Sequence, residues 1–226
     1  MAKYTIMKRY ILPLALLVIL TAGFIIPDFR TAQETTILEK VANANGFENW
    51  KDVEELQFTF NVDRDTTHFE RTWIWKPKSN DITAISEEGT VQYNWSKMDS
   101  VANKTNAGFI NDKYWLLAPY QLVWDGDNIS HEHSAATEAP ISKKEMQKLT
   151  IVYGSEGGYT PGDAYDFYFG DDLIVQEWVF RKGNAPTPSM MTTFENYKDI
   201  NGLQLATMHK MPEGNFKLYF TGIKVK

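Results

Sequence analysis

From Leu56 to the C-terminus the chain is written as short runs in which apolar and polar residues alternate, separated by turn formers, and few folds are open to such a pattern. In "EELQFTFNV", Leu56, Phe58, Phe60 and Val62 alternate with Gln57, Thr59 and Asn61, which is the two-residue period of a strand with one wet face. "TTHFERTWIWKP" continues with Phe69, Trp73 and Trp75 on one face and His68, Glu70 and Thr72 on the other, so Asp63-Arg64-Asp65 reads as a hairpin connection. Further strands are expected at "DITAIS", "TVQYNW", "LTIVYG", "DAYDFYFG", "LIVQEWVFRK", "MMTTFENYK", "LQLATMHKM" and "NFKLYFTGIKV". Their separators include Glu87-Glu88-Gly89, Gly157-Gly158, Gly170-Asp171-Asp172, Ile200-Asn201-Gly202 and Pro212-Glu213-Gly214. Connections this short join antiparallel neighbours, because a parallel pair needs a long crossover. In the last run Phe216, Leu218 and Phe220 share a face while Ile223 and Val225 fall out of phase, which predicts a bulge near Gly222.

Ahead of the strands, "TILEKVANANGFENWKDV" sets Ile37, Leu38, Val41 and Ala44 at helical spacing, with Asn45-Gly46 as a stop. Between residues 96 and 148 the pattern weakens: a short helix or strand is read around Tyr114 to Leu117, then a break at Pro119 and another short element through Val123. "HEHSAATEAPISKKEMQK" reads as polar and loop-like. Before all of this stands "MAKYTIMKRY", with Lys3, Lys8 and Arg9 and no acid, followed by the apolar run from Ile11 to Ile26. A basic segment leading into an apolar one is the layout of an export signal, here cleavable or retained as a short anchor that touches the membrane. The expected organisation is therefore residues 1–33 as signal or anchor and 34–226 as one domain, a monomer lying outside the cytoplasm and, for a bacterial envelope, in the periplasm.

Composition removes several function classes. The formal net charge of -6 argues against nucleic acid, which requires a basic surface. With no cysteine there is no disulfide, thiolate metal site, cysteine nucleophile or lipid-modified N-terminal cysteine. "GGYTPGDAYDFYFGDDL" looks at first like a phosphate-cradling loop, yet it sits between two strands with no helix following, and a hairpin is the expected reading. Asp163, Asp166, Asp171 and Asp172 lack the spacing of a calcium loop. His131-Glu132-His133 is the most metal-like triplet, with His68 and His209 as the other histidines. A hydrolase or metalloenzyme using His131, His133 or His209 stands as the minor alternative to a protein without catalysis. No metal and no cofactor is expected.

What remains is aromatic wealth: 7 Trp, 11 Tyr and 13 Phe make up 14% of the chain. Trp73, Trp75, Tyr114, Trp115, Phe167, Phe169, Trp178 and Phe180 are either the ordinary core or the wall of an apolar groove left where a curved sheet closes partly on a helix. Met190, Met191, Met208 and Met211 would give such a wall adaptability.

The helix ending in "ANANGFENW", the antiparallel run and the closing "TFENYKDINGLQLATMHKMPEGNFKLYFTGIKV" together resemble the LolA/LolB-like superfamily of bacterial envelope proteins. "NDKYWLLAPYQL" and "GGYTPGDAYDFYF" resemble an uncharacterised secreted branch with that fold. The resemblance implies a mainly β, α+β fold: a curved antiparallel sheet forming a half-open barrel with helices packed on its concave side. It implies a cavity for a lipid or acyl chain and supplies no catalytic residues. The alternative is an envelope module with a filled barrel, whose loops, notably residues 96–148, bind a protein partner.

Overall fold

The computed structural model describes residues 35–226, so the N-terminal basic and apolar run, with its expected role as signal or anchor, lies outside the described residues. Among those residues, no helix is long and apolar enough to cross a membrane. The chain begins with α1 (Ile37–Ala44), whose start is fixed by a capping box: Glu39 N donates to Thr36 Oγ1 at 3.2 Å, and Thr36 N donates back to the Glu39 carboxylate at 2.8 Å. It stops at Asn45-Gly46 as expected, Gly46 taking φ 90°, and a 3-10 turn (Phe47–Asp52) follows.

Thirteen strands are found among the described residues. The first four are β1 (Leu56–Arg64), β2 (Thr67–Lys76), β3 (Asp81–Ser86) and β4 (Gly89–Asn94); after a second helix, α2 (Ser100–Trp124), come β5 (Ile129–Glu138), β6 (Glu145–Tyr153), β7 (Ala164–Phe169) and β8 (Val175–Arg181). The rest are short, β9 (Met190–Thr193), β10 (Lys198–Ile200), β11 (Leu203–Leu205) and β12 (Met208–Lys210), until the closing β13 (Lys217–Val225). One sheet runs β12-β13-β1-β2-β3-β4 and another β5-β6-β7-β8-β9, every pairing being antiparallel. The two sheets meet where Glu195, just past β9, bridges Met208 of β12, with Glu195 N donating to Met208 O at 2.9 Å. Across that seam the strands follow one another from β5 round to β4, and β4 and β5 remain as free edges. The arrangement is α+β and mostly antiparallel, as expected.

The bulge predicted near Gly222 is present: Gln57 faces Lys224 while Thr59 faces Thr221, and Gly222 adopts φ 60°. "GGYTPG" joins β6 to β7 as a hairpin loop, as read from the sequence, with Gly162 N donating to Gly154 O at 2.8 Å. Two of the longer strand readings are broken. "MMTTFENYK" divides into β9 and β10, where Asn196 takes a left-handed conformation at φ 54°, and "LQLATMHKM" divides into β11 and β12 at Ala206-Thr207, where Thr207 N donates to Glu195 O at 3.0 Å.

The middle of the chain is a correction. Residues 96–148 are not irregular: they hold the 25-residue helix α2, strand β5 and the first part of β6. The helix escaped notice because from Asp112 to Leu122 it is buried on all sides, which erases the 3.6-residue alternation on which such a reading depends. Pro119 sits inside it. A proline there has no N–H for the Trp115 carbonyl, and the backbone gives way at Leu117, which leaves helical geometry (φ -120°, ψ 23°). Strand β5 reads as a loop because it pairs on one side only and is wetted along most of its length.

Residues of α1, α2 and both sheets share one core. Phe109 of α2 packs edge-on against Trp73 and Trp75, and Trp115, one and a half turns on, lies against Trp178 and His209. The second helix thus fills the space that the two sheets enclose.

Candidate ligand-binding cleft

Burying α2 places three unlike groups in succession along one stretch, Asp112, Lys113 and Tyr114. The Asp112 side chain is fully buried, and its Oδ2 accepts from Arg71 Nε at 2.9 Å, Arg71 Nη2 at 2.8 Å and Trp73 Nε1 at 2.8 Å. Burial pushes its pKa up, and the Arg71 guanidinium is the foremost group pulling it back.

Lys113 points the other way into a box of indoles, its Nζ lying 5.4 Å, 5.8 Å and 5.0 Å from the ring centres of Trp75, Trp95 and Trp124. Its nearest polar partner is Gln121 Oε1 at 3.4 Å, and burial lowers its pKa to about 8.

Tyr114 faces the third direction, and here the interior is not full. Asn111, Tyr114 and Trp115 from α2, Tyr159 and Thr160 from the β6–β7 loop, Tyr165 from β7, Trp178 and Phe180 from β8 and Met190 from β9 line a cleft of about 250 Å³. Broader hollows lie elsewhere, one of about 290 Å³ beside Phe69 and Glu87 and others of about 410 Å³, but they are lined largely by polar and charged residues. The aromatic cleft differs from them in its mostly apolar wall. Tyr159 covers its floor: the ring stacks on Tyr114 with centres 3.9 Å apart and planes 6° from parallel. The loop is held beside it by a 2.7 Å hydrogen bond between Thr160 Oγ1 and Tyr165 Oη. Gly157 and Gly158 precede Tyr159 with φ 74° and 72°, and a Cβ on Gly158 would stand 2.5 Å from the Tyr153 ring, so the loop needs glycine there.

Two polar atoms of this cleft have no hydrogen-bond partner, the Tyr114 hydroxyl and Trp178 Nε1, and both are cut off from water. Burial holds the Tyr114 hydroxyl well above its usual pKa. The Trp178 indole beside it offsets this in part, without hydrogen-bond geometry between the two. Burial likewise raises Tyr159, Tyr165 and Tyr153, so all four tyrosines keep their protons through the physiological range.

Of the eight aromatics singled out from the sequence, Tyr114, Trp115, Trp178 and Phe180 line the cleft. Trp73, Trp75, Phe167 and Phe169 are at most 5% exposed and do not line it; they belong to the core. Of the four methionines only Met190 reaches the cleft. Met191 packs on a separate cluster formed by Ala139, Met146, Tyr168 and Val179, and Met211 is exposed. Sequence reasoning missed Tyr159 and Tyr165. The available signal for Tyr159 was a large aromatic set among glycines in a loop that otherwise has no use for one.

The histidines are dispersed. His131 and His133 lie on the exposed edge strand β5, where the sequence had indicated a loop, and His133 Nε2 meets Gln147 Oε1 at 3.0 Å. His209 is fully buried, its Nδ1 3.1 Å from the Thr193 carbonyl, and burial lowers its pKa to about 3, which leaves it neutral. Among the described residues no three His, Cys, Asp or Glu side chains gather as a metal site would need.

No family model matches the chain, and no curated protein matches it significantly. Among solved structures it is similar to a DUF1329 family protein from Desulfovibrio piger ATCC 29098, at 11% identity and a TM-score of 0.46, over 83% of this chain and 92% of that one. It is also similar to a domain assigned as an outer membrane lipoprotein-sorting protein from Vibrio parahaemolyticus, at 9% identity and a TM-score of 0.44, over 82% of this chain and 93% of that one. Likenesses at this level are loose, and the order of the strands, rather than either neighbour, defines the fold of this protein.

Proposed function

We propose that the protein is a non-enzymatic extracytoplasmic binding protein that holds an apolar chain of a lipid in the cleft between α2 and strands β7–β9. The observation that carries this reading is an aromatic cleft whose lining residues include two desolvated polar atoms without partners, a combination that is costly in a protein with nothing to bind. At about 250 Å³ the space lies below the roughly 300–1,000 Å³ typical of small-molecule pockets, which fits one chain end rather than several whole acyl chains. The location outside the cytoplasm rests on the basic and apolar N-terminal pattern alone.

A second reading, an envelope interaction module with a filled interior, draws on the extent to which α2 occupies the space between the sheets. Native mass spectrometry of the full-length protein, released gently from the envelope, separates the two. The binding reading expects a co-purified lipid mass that Met190→Trp, which fills the cleft from the edge of β9, removes while the thermal midpoint stays in place. An apo mass with no uptake from a total envelope-lipid extract would refute it and favour the interaction module.

A further inference from the structure

We propose that the cleft selects an uncharged ligand bearing a buried hydrogen-bond acceptor, of the class of acyl esters, over both the free acid and the plain hydrocarbon, through the Tyr114 hydroxyl and the Trp178 indole N–H. This rests on the binding reading above and specifies what that site recognises.

The first argument is one of hydrogen-bond type. An indole N–H can only donate, and a protonated tyrosine without a partner also has its donor free. Two unsatisfied donors in a desolvated wall call for an acceptor from the ligand, which a saturated hydrocarbon lacks and an ester carbonyl supplies.

The second argument concerns charge. A carboxylate would offer the better acceptor, yet Asp163, an acid, acts on both Tyr159 and Tyr165 of the cleft, while Asp112, which also acts on Tyr159, is neutralised by Arg71. The neighbouring cation, Arg71, is already engaged by Asp112 with two hydrogen bonds. Lys113 faces the tryptophan box of Trp75, Trp95 and Trp124, none of which lines the cleft. An anion would enter a desolvated site next to like charge with no free counter-ion, and that penalty does not apply to a neutral carbonyl.

Access follows from the loop. Both donors are shut off from solvent and Tyr159 lies flat on Tyr114, so the Tyr159 ring must be displaced for a ligand carbonyl to approach from that side. The loop bearing Tyr159 is exposed along most of its length and is attached beside the cleft through Thr160, which makes it the movable wall.

Calorimetric titration of the full-length protein with methyl octanoate, octanoate and decane tests the assignment. The wild type is expected to bind the ester about tenfold or more tightly than either of the others, the free energy of one or two buried hydrogen bonds. Tyr114→Phe, which removes a single oxygen, and Trp178→Phe are each expected to lower the ester-to-decane affinity ratio about five- to tenfold, the ratio on each variant controlling for any change of shape. Equal binding of ester and decane by the wild type, tighter binding of octanoate, or an unchanged ratio in Tyr114→Phe would each overturn the specificity while leaving the apolar site standing. Absence of binding by all three probes would overturn both readings.

Discussion

The Asp112 carboxylate allows the sharpest test of how this interior is held together. It is fully buried on α2 and takes three donors on one oxygen, two from Arg71 and one from Trp73, so it fastens the helix to β2. Asp112→Asn keeps the shape and removes the charge. The new amide must turn its NH₂ either toward those three donors or toward Asn111 Nδ2, which now donates to Oδ1 at 3.1 Å, so one donor-to-donor conflict arises whichever way it turns. Arg71 is then left beside a neutral acceptor with its side chain 24% exposed. Removing one member of a buried pair costs roughly 3–5 kcal/mol, and the partial exposure of Arg71 places this case near about 3 kcal/mol. For a domain of this size that corresponds to a fall in thermal midpoint of about 6–12 °C. Circular dichroism melts read the shift, and Arg71→Met combined with Asp112→Asn should recover most of it, since the stranded cation is gone. A single variant melting within about 2 °C of wild type, or a double variant no better than the single, would refute the reasoning.

Lys113 gives a pH signature. Its folded pKa of about 8 lies below the ordinary 10.5, so the unfolded chain binds the extra proton and stability rises with pH across that interval. Between about pH 7.5 and 9.5 the wild type should gain about 2 kcal/mol relative to Lys113→Met in urea unfolding; parallel pH profiles for the two proteins would argue against it. At the other end of the fold, Gly46→Ala forces a left-handed alanine at φ 90° with its Cβ 2.2 Å from the Gly202 carbonyl oxygen. A loss of about 2 kcal/mol or more is expected in the urea midpoint at unchanged slope, and a loss under about 0.5 kcal/mol would show that the two turns separate freely.

Much of the strand order was legible because each strand carries its own evidence. Leu56, Phe58 and Phe60 announce their face by alternation alone, and Gly222 announces the bulge by the phase change after it. The capped start and glycine stop of α1 were equally local. The second helix was not, since a segment buried on every side has no wet face to keep time with, and Pro119 argued against a helix that tertiary packing nevertheless carries past it. Of the eight aromatics proposed from the sequence, four line the cleft and four do not, and one reason covers both outcomes. Trp178 and Phe180 alternate visibly on β8, as do Trp73 and Trp75 on β2, but nothing in the period of a strand tells which inner face meets a helix and which meets a void. Tyr159 comes from a loop, where position is set by the turn and not by any period.

The strand-to-helix-to-strand path from β4 through α2 to β5 has a mechanical meaning. The segment that stops the opening is the same one that ties its two lips together, through the short connections 95–99 at one end and 125–128 at the other. A stopper tethered at both rims cannot swing out on one hinge; drawing it from the interior would tug on both free edges at once and strip Trp73, Trp115 and Phe109 of their neighbours together. Pulling on the molecule from β4 and β5 would therefore load the plug in line before it loaded either sheet.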